Sequence, residues 1–429
     1  MLKLLQSRQF WPLFVTQFLG ALNDNVFKSA LVVLVTFQLA DASGVDGPVM
    51  VTAAAGIFIV PFFVFSATAG QLADRYDKAR LARWVKAAEV LIMIAGAMAF
   101  FRESLGALMA VLFLMGTQSA LFGPVKYAIL PQHLALDQLI TANAMVEAGT
   151  FLAILLGTIV GGLLVLTENG LWVVAGLIVS IAVLGAGTSL LVPKAPSLDR
   201  GLVINFNVFS STRQMIGHAR RTPEVFWAVM GISWFWLVGA TFLSQFPTFA
   251  KDVLNGDEEV VTLFLATFSV GIAVGSGLCS WLLKGRISAK YVPFAALLMS
   301  AFMVDLYFSS GAFGAISQGA RLGVGEFLNS ANGLRVSADL VMVAVGGGLY
   351  IVPLYAVLQS RGAASHRARD IAANNILNAL FMVVSAVVVG VMLSLGVSVP
   401  EVFLSVALIN TGVAVGAFFG LRRDRVVIK

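Results

Sequence analysis

The chain predicts an all-α membrane protein with twelve transmembrane helices in two six-helix halves. Three observations carry this reading: the composition, the recurrence of apolar segments of membrane length, and an internal repeat. Of 429 residues, 59% are hydrophobic and 12% charged, and the mean hydropathy is +0.91. That leaves too little polar surface to enclose a soluble core. Apolar segments recur along nearly the whole length, each near the ~20 residues a helix needs to cross a hydrocarbon core of ~30 Å. Backbone hydrogen bonds must be satisfied within each span, which leaves helices or a closed barrel. These runs are too long and too uniformly apolar for barrel strands.

The first span, residues 10–39, carries the cluster Gly20-Ala21-Leu22-Asn23-Asp24-Asn25-Val26-Phe27-Lys28. An ionised carboxylate in hydrocarbon costs several kcal/mol, so Asp24 has to face a partner or a water-filled cavity. Spans two to six are expected over 49–73, 82–101, 105–130, 139–166 and 171–192. A basic, polar segment over 193–223 then separates an N-terminal half, 1–192, from a C-terminal half, 224–429. Spans seven to twelve follow over 225–250, 260–283, 291–310, 338–358, 371–395 and 402–421. The stretch 311–334 reads as a loop, an interfacial helix or the start of a longer tenth span. The first apolar run is too long for a cleavable signal peptide.

Charge bias orients the chain. Arg102, Lys251, Arg321 and Arg335 fall on one side, and Lys28, Lys86 and Lys126 lie within spans, so 21 of the 28 basic residues fall on the side of the N-terminus. Positive residues stay inside, which predicts cytoplasmic termini. The net charge of +6 reflects this topology and contact with anionic lipid, and no nucleic-acid partner is expected. The single cysteine, Cys279, lies in an apolar span and reads as packing. No metal, cofactor or enzymatic site is expected, and the chain reads as a monomer. Gly157-Thr158-Ile159-Val160-Gly161 reads as close helix packing and only weakly as a dimer contact.

Phe122-Gly123-Pro124-Val125-Lys126-Tyr127-Ala128-Ile129-Leu130 in the fourth span matches Ile351-Val352-Pro353-Leu354-Tyr355-Ala356-Val357-Leu358 in the tenth, with one residue deleted. Downstream, Ala142-Asn143-Ala144-Met145-Val146-Glu147-Ala148 matches Ala373-Asn374-Asn375-Ile376-Leu377-Asn378-Ala379. Two matches in the same order indicate duplicated halves. Gly346, Gly347 and Gly348 in the tenth span read either as a bend or as packing.

Six-helix halves repeated in one orientation are the plan of the major facilitator transporters, which bind substrate between the halves. Gly70-Gln71-Leu72-Ala73-Asp74-Arg75-Tyr76-Asp77-Lys78-Ala79-Arg80, between spans two and three, resembles that superfamily's loop motif. The resemblance implies a gate built on Gly70, Asp74, Arg75, Lys78 and Arg80, with the aspartate near a helix N-terminus and paired to a basic residue. The competing reading is a solvated basic loop. Within the superfamily, Phe18-Leu19-Gly20-Ala21-Leu22-Asn23-Asp24-Asn25, the two repeat segments of the first half and Val352-Pro353-Leu354-Tyr355-Ala356-Val357-Leu358-Gln359 resemble the bacterial lysophospholipid transporters. The chain also resembles the transporter half of proteins fused to acyltransferase and acyl-ligase domains. No fused enzyme is expected here, since His133, His218 and His366 do not form the acyltransferase His-four-residue-Asp spacing.

The resemblance implies a bacterial inner-membrane transporter that moves lysophospholipid from the outer to the inner leaflet, among membrane lipids, with a functional link to an acyltransferase. Such a cargo needs a basic group, an acceptor and an apolar flank. Lys126 suits the phosphate; Asp24, Asn23 and Asn25 suit an ethanolamine or glycerol head; Glu147, Gln245, Tyr355, Asn374 and Asn378 complete the expected site. Phe14, Phe18, Phe122, Phe242 and Phe246 are expected to shield the acyl chain. Competing readings are an Asp24–Lys28 ion pair, Lys126 as counter-ion to Asp24 or Glu147, Glu147 as an anchor between spans four and five, and the asparagines as interhelical hydrogen-bond residues. Where better-known members carry an arginine and a glutamate, this chain has Leu243 and Asn378, with Gln245 and Asn378 as a neutral substitute. An exporter of small amphipathic compounds and a non-transporting scaffold for an acyltransferase are the alternative functions.

Overall fold

Among the residues described by the structure, a computed structural model that covers 2–39, 47–311, 313 and 321–421, twelve helices are long and apolar enough to cross a membrane. They are α1 (Trp11–Leu34), α2 (Gly47–Arg75), α3 (Lys78–Phe101), α4 (Leu105–His133), α5 (Leu139–Leu164), α6 (Gly170–Leu190), α7 (Pro223–Thr248), α8 (Glu258–Leu283), α9 (Val292–Gly311), α10 (Ala331–Arg361), α11 (Arg367–Ser394) and α12 (Val399–Gly420). Polar side chains set several starts: Asp77 accepts from Arg80 N at 2.9 Å to cap α3, and Asp257 accepts from Glu259 N at 2.9 Å to cap α8. The tenth helix begins before the expected 338, because Ser330 Oγ accepts from Gly333 N at 2.9 Å and caps it there. A short helix, Val324–Asn329, precedes it. The basic run Arg422, Arg423, Arg425 and Lys429 lies outside the described residues.

The packing repeats as the sequence repeats. In the first half α1 packs on α5, α2 on α4 and α3 on α6; in the second, α7 packs on α11, α8 on α10 and α9 on α12. The same operation exchanges the two long seams between the halves, α2–α11 and α8–α5. Both α1 and α7 end in a π turn, Val35–Leu39 and Phe249–Val253. Between the halves runs an amphipathic linker helix, Val208–Ala219, whose buried Met215 packs against Ala67 of α2 and Ala372 and Ala373 of α11. Gly157 and Gly161 face Asn25 and Val26 of α1, so that motif is spent on packing inside one half. Gly348 faces the backbone of α8, where an added Cβ would lie 2.5 Å from Ser276 N, and α10 runs unbroken through it. Close packing is thus one use of this glycine run in the conformation described.

The halves are clasped at the linker side. A Cβ at Gly70 would lie 2.6 Å from Ala372 Cβ, so α2 and α11 approach with no side chain between them. One turn on, Asp74 accepts from Ala368 N (3.1 Å), Arg369 N (3.3 Å) and Arg369 Nε (2.9 Å). The carboxylate therefore sits on the first turn of α11, where exposed N–H groups and the helix dipole favour an anion. Arg369 also donates to Asp199 of the linker at 2.8 Å. Arg75 lies over the Tyr76 ring instead, Arg80 is exposed, and Lys78 is buried with no hydrogen bond to its ammonium. The latch thus uses Gly70 and Asp74 of the expected gate and takes Arg369 and Asp199 from elsewhere. Deeper in, Asn143 and Gln359 exchange two amide hydrogen bonds (2.8 and 3.0 Å), and Thr141 meets Ser280 at 2.8 Å.

Two outcomes follow from this packing. Gly348→Ala forces α8 and α10 apart and is expected to cost about 1–3 kcal/mol, read as a lower melting temperature in detergent; Gly412→Ala, which opens onto empty space, should not lower it. Asp74→Asn removes the charge from three contacts and should shift the population toward an opened linker side by about tenfold or more, since ~1.4 kcal/mol is a factor of ten. Spin-label distances between the linker-side ends of α2 and α11 measure this, and an unchanged distribution would reduce the loop to a topology signal.

Candidate binding site

The charged cluster of α1 divides its side chains among three surroundings, because successive helical residues point about 100° apart. Asp24 Oδ2 accepts from Ser119 Oγ of α4 at 2.6 Å. Asn25 turns back to the Ala21 carbonyl at 2.7 Å. Asn23 is fully buried and donates to Glu89 Oε1 at 3.3 Å. Lys28 lies over the Phe58 ring, 4.5 Å from its centroid, and makes no ion pair with Asp24. The expected Asn23–Asp24–Asn25 acceptor group is therefore not a unit: the three side chains bond in different directions, Asn23 and Asn25 as donors and Asp24 as an acceptor with its second carboxylate oxygen not hydrogen-bonded among the described residues.

Glu89 is the centre of a network the sequence reading passed over. It accepts from Lys86 Nζ at 2.5 Å, Gln118 Nε2 at 2.6 Å and Asn23. Lys86 and Glu89 are 1% and 2% exposed. A buried ion pair holds only if its remaining lone pairs are also satisfied, and Gln118 and Asn23 do that here. Lys86 fits because Gly20 has no side chain to collide with its ammonium. The available signal was two opposite charges three residues apart inside an apolar span.

On the midline between the halves the repeat segments meet. Tyr127 and Tyr355, equivalent by the repeat, stack with centroids 4.4 Å apart and planes 10° from parallel. Glu147 is fully buried and accepts from Tyr127 OH at 2.8 Å, joining α4 to α5. Its repeat equivalent, Asn378, accepts from Ser233 Oγ of α7 at 2.9 Å. Asn374 is fully buried with its amide unpartnered, and Asn375 lies against Gly123. Lys126 is partly exposed, forms no ion pair among the described residues, and lies 4.8 Å from the Tyr127 ring centroid. Neither Asp24 nor Glu147 reaches Lys126 at ion-pair distance, so any counter-ion role acts through space rather than by direct contact.

Gln245 and Asn378 do not form a neutral pair. Gln245 donates to Ser244 at 3.4 Å, and the Thr241–Ser385 hydrogen bond (2.7 Å) lies between it and the level of Asn378. Phe242 and Phe246 are also displaced from their expected role. Both are fully buried in a packed cluster with Phe264, Phe268 and Phe403, the Phe242 and Phe403 rings stacked at 4.2 Å. Phe122 is buried beneath Lys86. Phe14 and Phe18 do line open space: an apolar groove of about 650 Å³ between α1, α5 and α8, with Met145, Leu152 and Val274.

The chain is similar in sequence and in fold to known proteins. Proteins named lysophospholipid transporter LplT from Yersinia pestis (strain Pestoides F) and Yersinia pseudotuberculosis serotype O:3 (strain YPIII) are each 26% identical over 371 residues, 84% of this chain and 80% of theirs. The fold is shared with the human organic anion transporter MFSD10, with a TM-score of 0.72 at 13% identity over 96% of this chain and 99% of that one. It is shared too with the transporter FucP in its outward conformation, with a TM-score of 0.71 at 14% identity over 96% and 98%. A family model, Major Facilitator Superfamily, matches residues 13–386. With twelve spans, duplicated halves and a matched length of this extent, the chain belongs to the Major Facilitator Superfamily.

Proposed function

We propose that this chain moves lysophospholipid from the outer to the inner leaflet of a bacterial inner membrane by alternating access, with its termini and linker in the cytoplasm. The observation that carries the reading is Lys126: an ammonium beside the Tyr127–Tyr355 stack, partly exposed, with no carboxylate at ion-pair distance among the described residues. Burial of such a charge calls for an anion, and a phosphate diester supplies one. Asp24, held at one oxygen by Ser119, accepts hydrogen bonds from an ethanolamine or glycerol head. The groove beside Phe14 and Phe18 takes the single acyl chain without enclosing it. The Yersinia relatives named for this cargo support the same reading. The transporter acts as a monomer, and an acyltransferase consumes what it delivers.

Two substitutions test the roles. Lys126→Ala should weaken binding of lysophospholipids about tenfold whatever their head, the order of one charge-assisted bond, and leave a neutral monoacylglycerol unaffected; a loss of thermal stability with unchanged relative affinities would make Lys126 a structural counter-ion. Asp24→Asn should lower uptake of labelled lysophospholipid into proteoliposomes while the melting temperature holds, because Ser119 can still donate to the amide oxygen. Full uptake by a folded Asp24→Asn protein would remove Asp24 from the mechanism.

A further inference from the structure

A cavity of about 780 Å³ opens on the linker side between the linker helix and the latch. Arg213, His218 and Arg221 line it from the linker, and His366 and Arg369 from the start of α11. The two imidazoles stack with centroids 4.1 Å apart. The carboxylate facing these groups, Asp199, is already engaged by Arg369 at 2.8 Å. Burial, and then Arg221 and Arg369, hold His218 below the ordinary imidazole range. The concavity is therefore positive, with Asp199 and Asp74, the carboxylates beside Arg369, both committed to that guanidinium.

The same segment turns apolar side chains outward. Val203, Phe206 and Phe209 are 82%, 73% and 89% exposed, while Ser211, Met215 and Ala219 on the other face of the helix are buried against the bundle. Phenylalanines left bare beside arginines, at the start of a short helix packed against two membrane-spanning helices, form the pattern of a segment lying in the bilayer interface. Basic groups at that depth attract anionic headgroups.

We propose that this cavity binds the phosphate headgroup of an anionic diacyl phospholipid from the linker-side leaflet, with its chains against Val203, Phe206 and Phe209, as a resident lipid distinct from the cargo. Arg213 and Arg221 are exposed and free to wrap the phosphate, while Arg369 stays bonded to Asp74 at the back. The lipid ties the linker helix to α11 and so braces the latch.

The test is lipid binding by the purified full chain in neutral detergent, followed by native mass spectrometry. Dioleoylphosphatidylglycerol should bind more tightly than dioleoylphosphatidylcholine. Arg213→Gln and Arg221→Gln should each weaken the anionic lipid about fivefold, and Phe206→Ser with Phe209→Ser should weaken both lipids. Arg286→Gln, an exposed arginine after α8, and Lys126→Ala should change neither. Soluble glycerophosphoglycerol should not displace the lipid. The proposal is overturned if the anionic preference survives in the double arginine variant, or if Arg286→Gln is as damaging as Arg213→Gln, which would indicate surface charge alone. It also fails if the soluble headgroup competes, marking a free phosphate-ester site, or if Lys126→Ala abolishes binding, which places the lipid in the transport path. Transport is not read in any arm, so the outcome stands apart from that of the proposed cargo.

Discussion

A charge inside a bilayer has to be met by a partner or by water, and the interior of this bundle is arranged around that requirement. Glu89 is met by Lys86, Gln118 and Asn23; Glu147 by the Tyr127 hydroxyl; Asp74 by the first turn of α11 and the Arg369 guanidinium. Each solution ties helices together: α1, α3 and α4 through Glu89, α4 and α5 through Glu147, α2 and α11 through Asp74. What is left is informative by contrast. Lys126 has no ion pair among the described residues and Asp24 keeps one oxygen without a hydrogen bond, while Lys28 rests on an aromatic ring rather than on a carboxylate. Groups of opposite sign without closure inside a bundle are the ones a charged ligand could complete, which is why the proposed site is built on Lys126 and Asp24.

The duplication explains where these groups stand and why the two halves differ. Tyr127 and Tyr355 stack across the pseudo-twofold axis, as an equivalent pair must when it lies on that axis. Away from the axis the copies differ: Asn378 stands where the first half has Glu147, and Lys126 has no counterpart because the second repeat lacks that residue. Charge is thereby concentrated in the first half, while the second half spent its equivalent volume on aromatic packing around Phe242, Phe246 and Phe268. The frame is symmetric but the proposed site is not: its charged groups stand on the first half, opposite apolar packing in the second.

The fold was legible because span length, hydropathy and the repeat are properties of the chain itself. The site was legible only in part. Asp24, Lys126 and Glu147 announced themselves as charges in apolar runs, and the Glu147 anchor between α4 and α5 followed from its position. The pairing of Asp74 with Arg369 did not, because the two are separated by most of the chain and meet only once the halves close. Phe242 and Phe246 were misplaced for a general reason: in a membrane protein an aromatic side chain is equally at home in packing, in lipid and in a cavity, so residue type carries no address. Gln245 and Asn378 failed as a pair because they sit at different heights on α7 and α11, and height depends on which residues of parallel helices lie opposite each other.

The clasp also bears on how the molecule would open. Asp74 is fully buried and bonded to backbone N–H groups of α11 as well as to Arg369, so separating the halves exposes both the carboxylate and the helix N-terminus to water. Each is well solvated there, and the net cost of opening is far below the gross strength of the bonds lost. The same holds for the Asn143–Gln359 amide pair. The apolar Gly70 contact, by contrast, loses close packing without an equivalent return from water. Polar clasps of this kind hold a closed state in register while leaving it reversible, and a ligand that binds one state better needs only a few kcal/mol of differential affinity to change which state prevails.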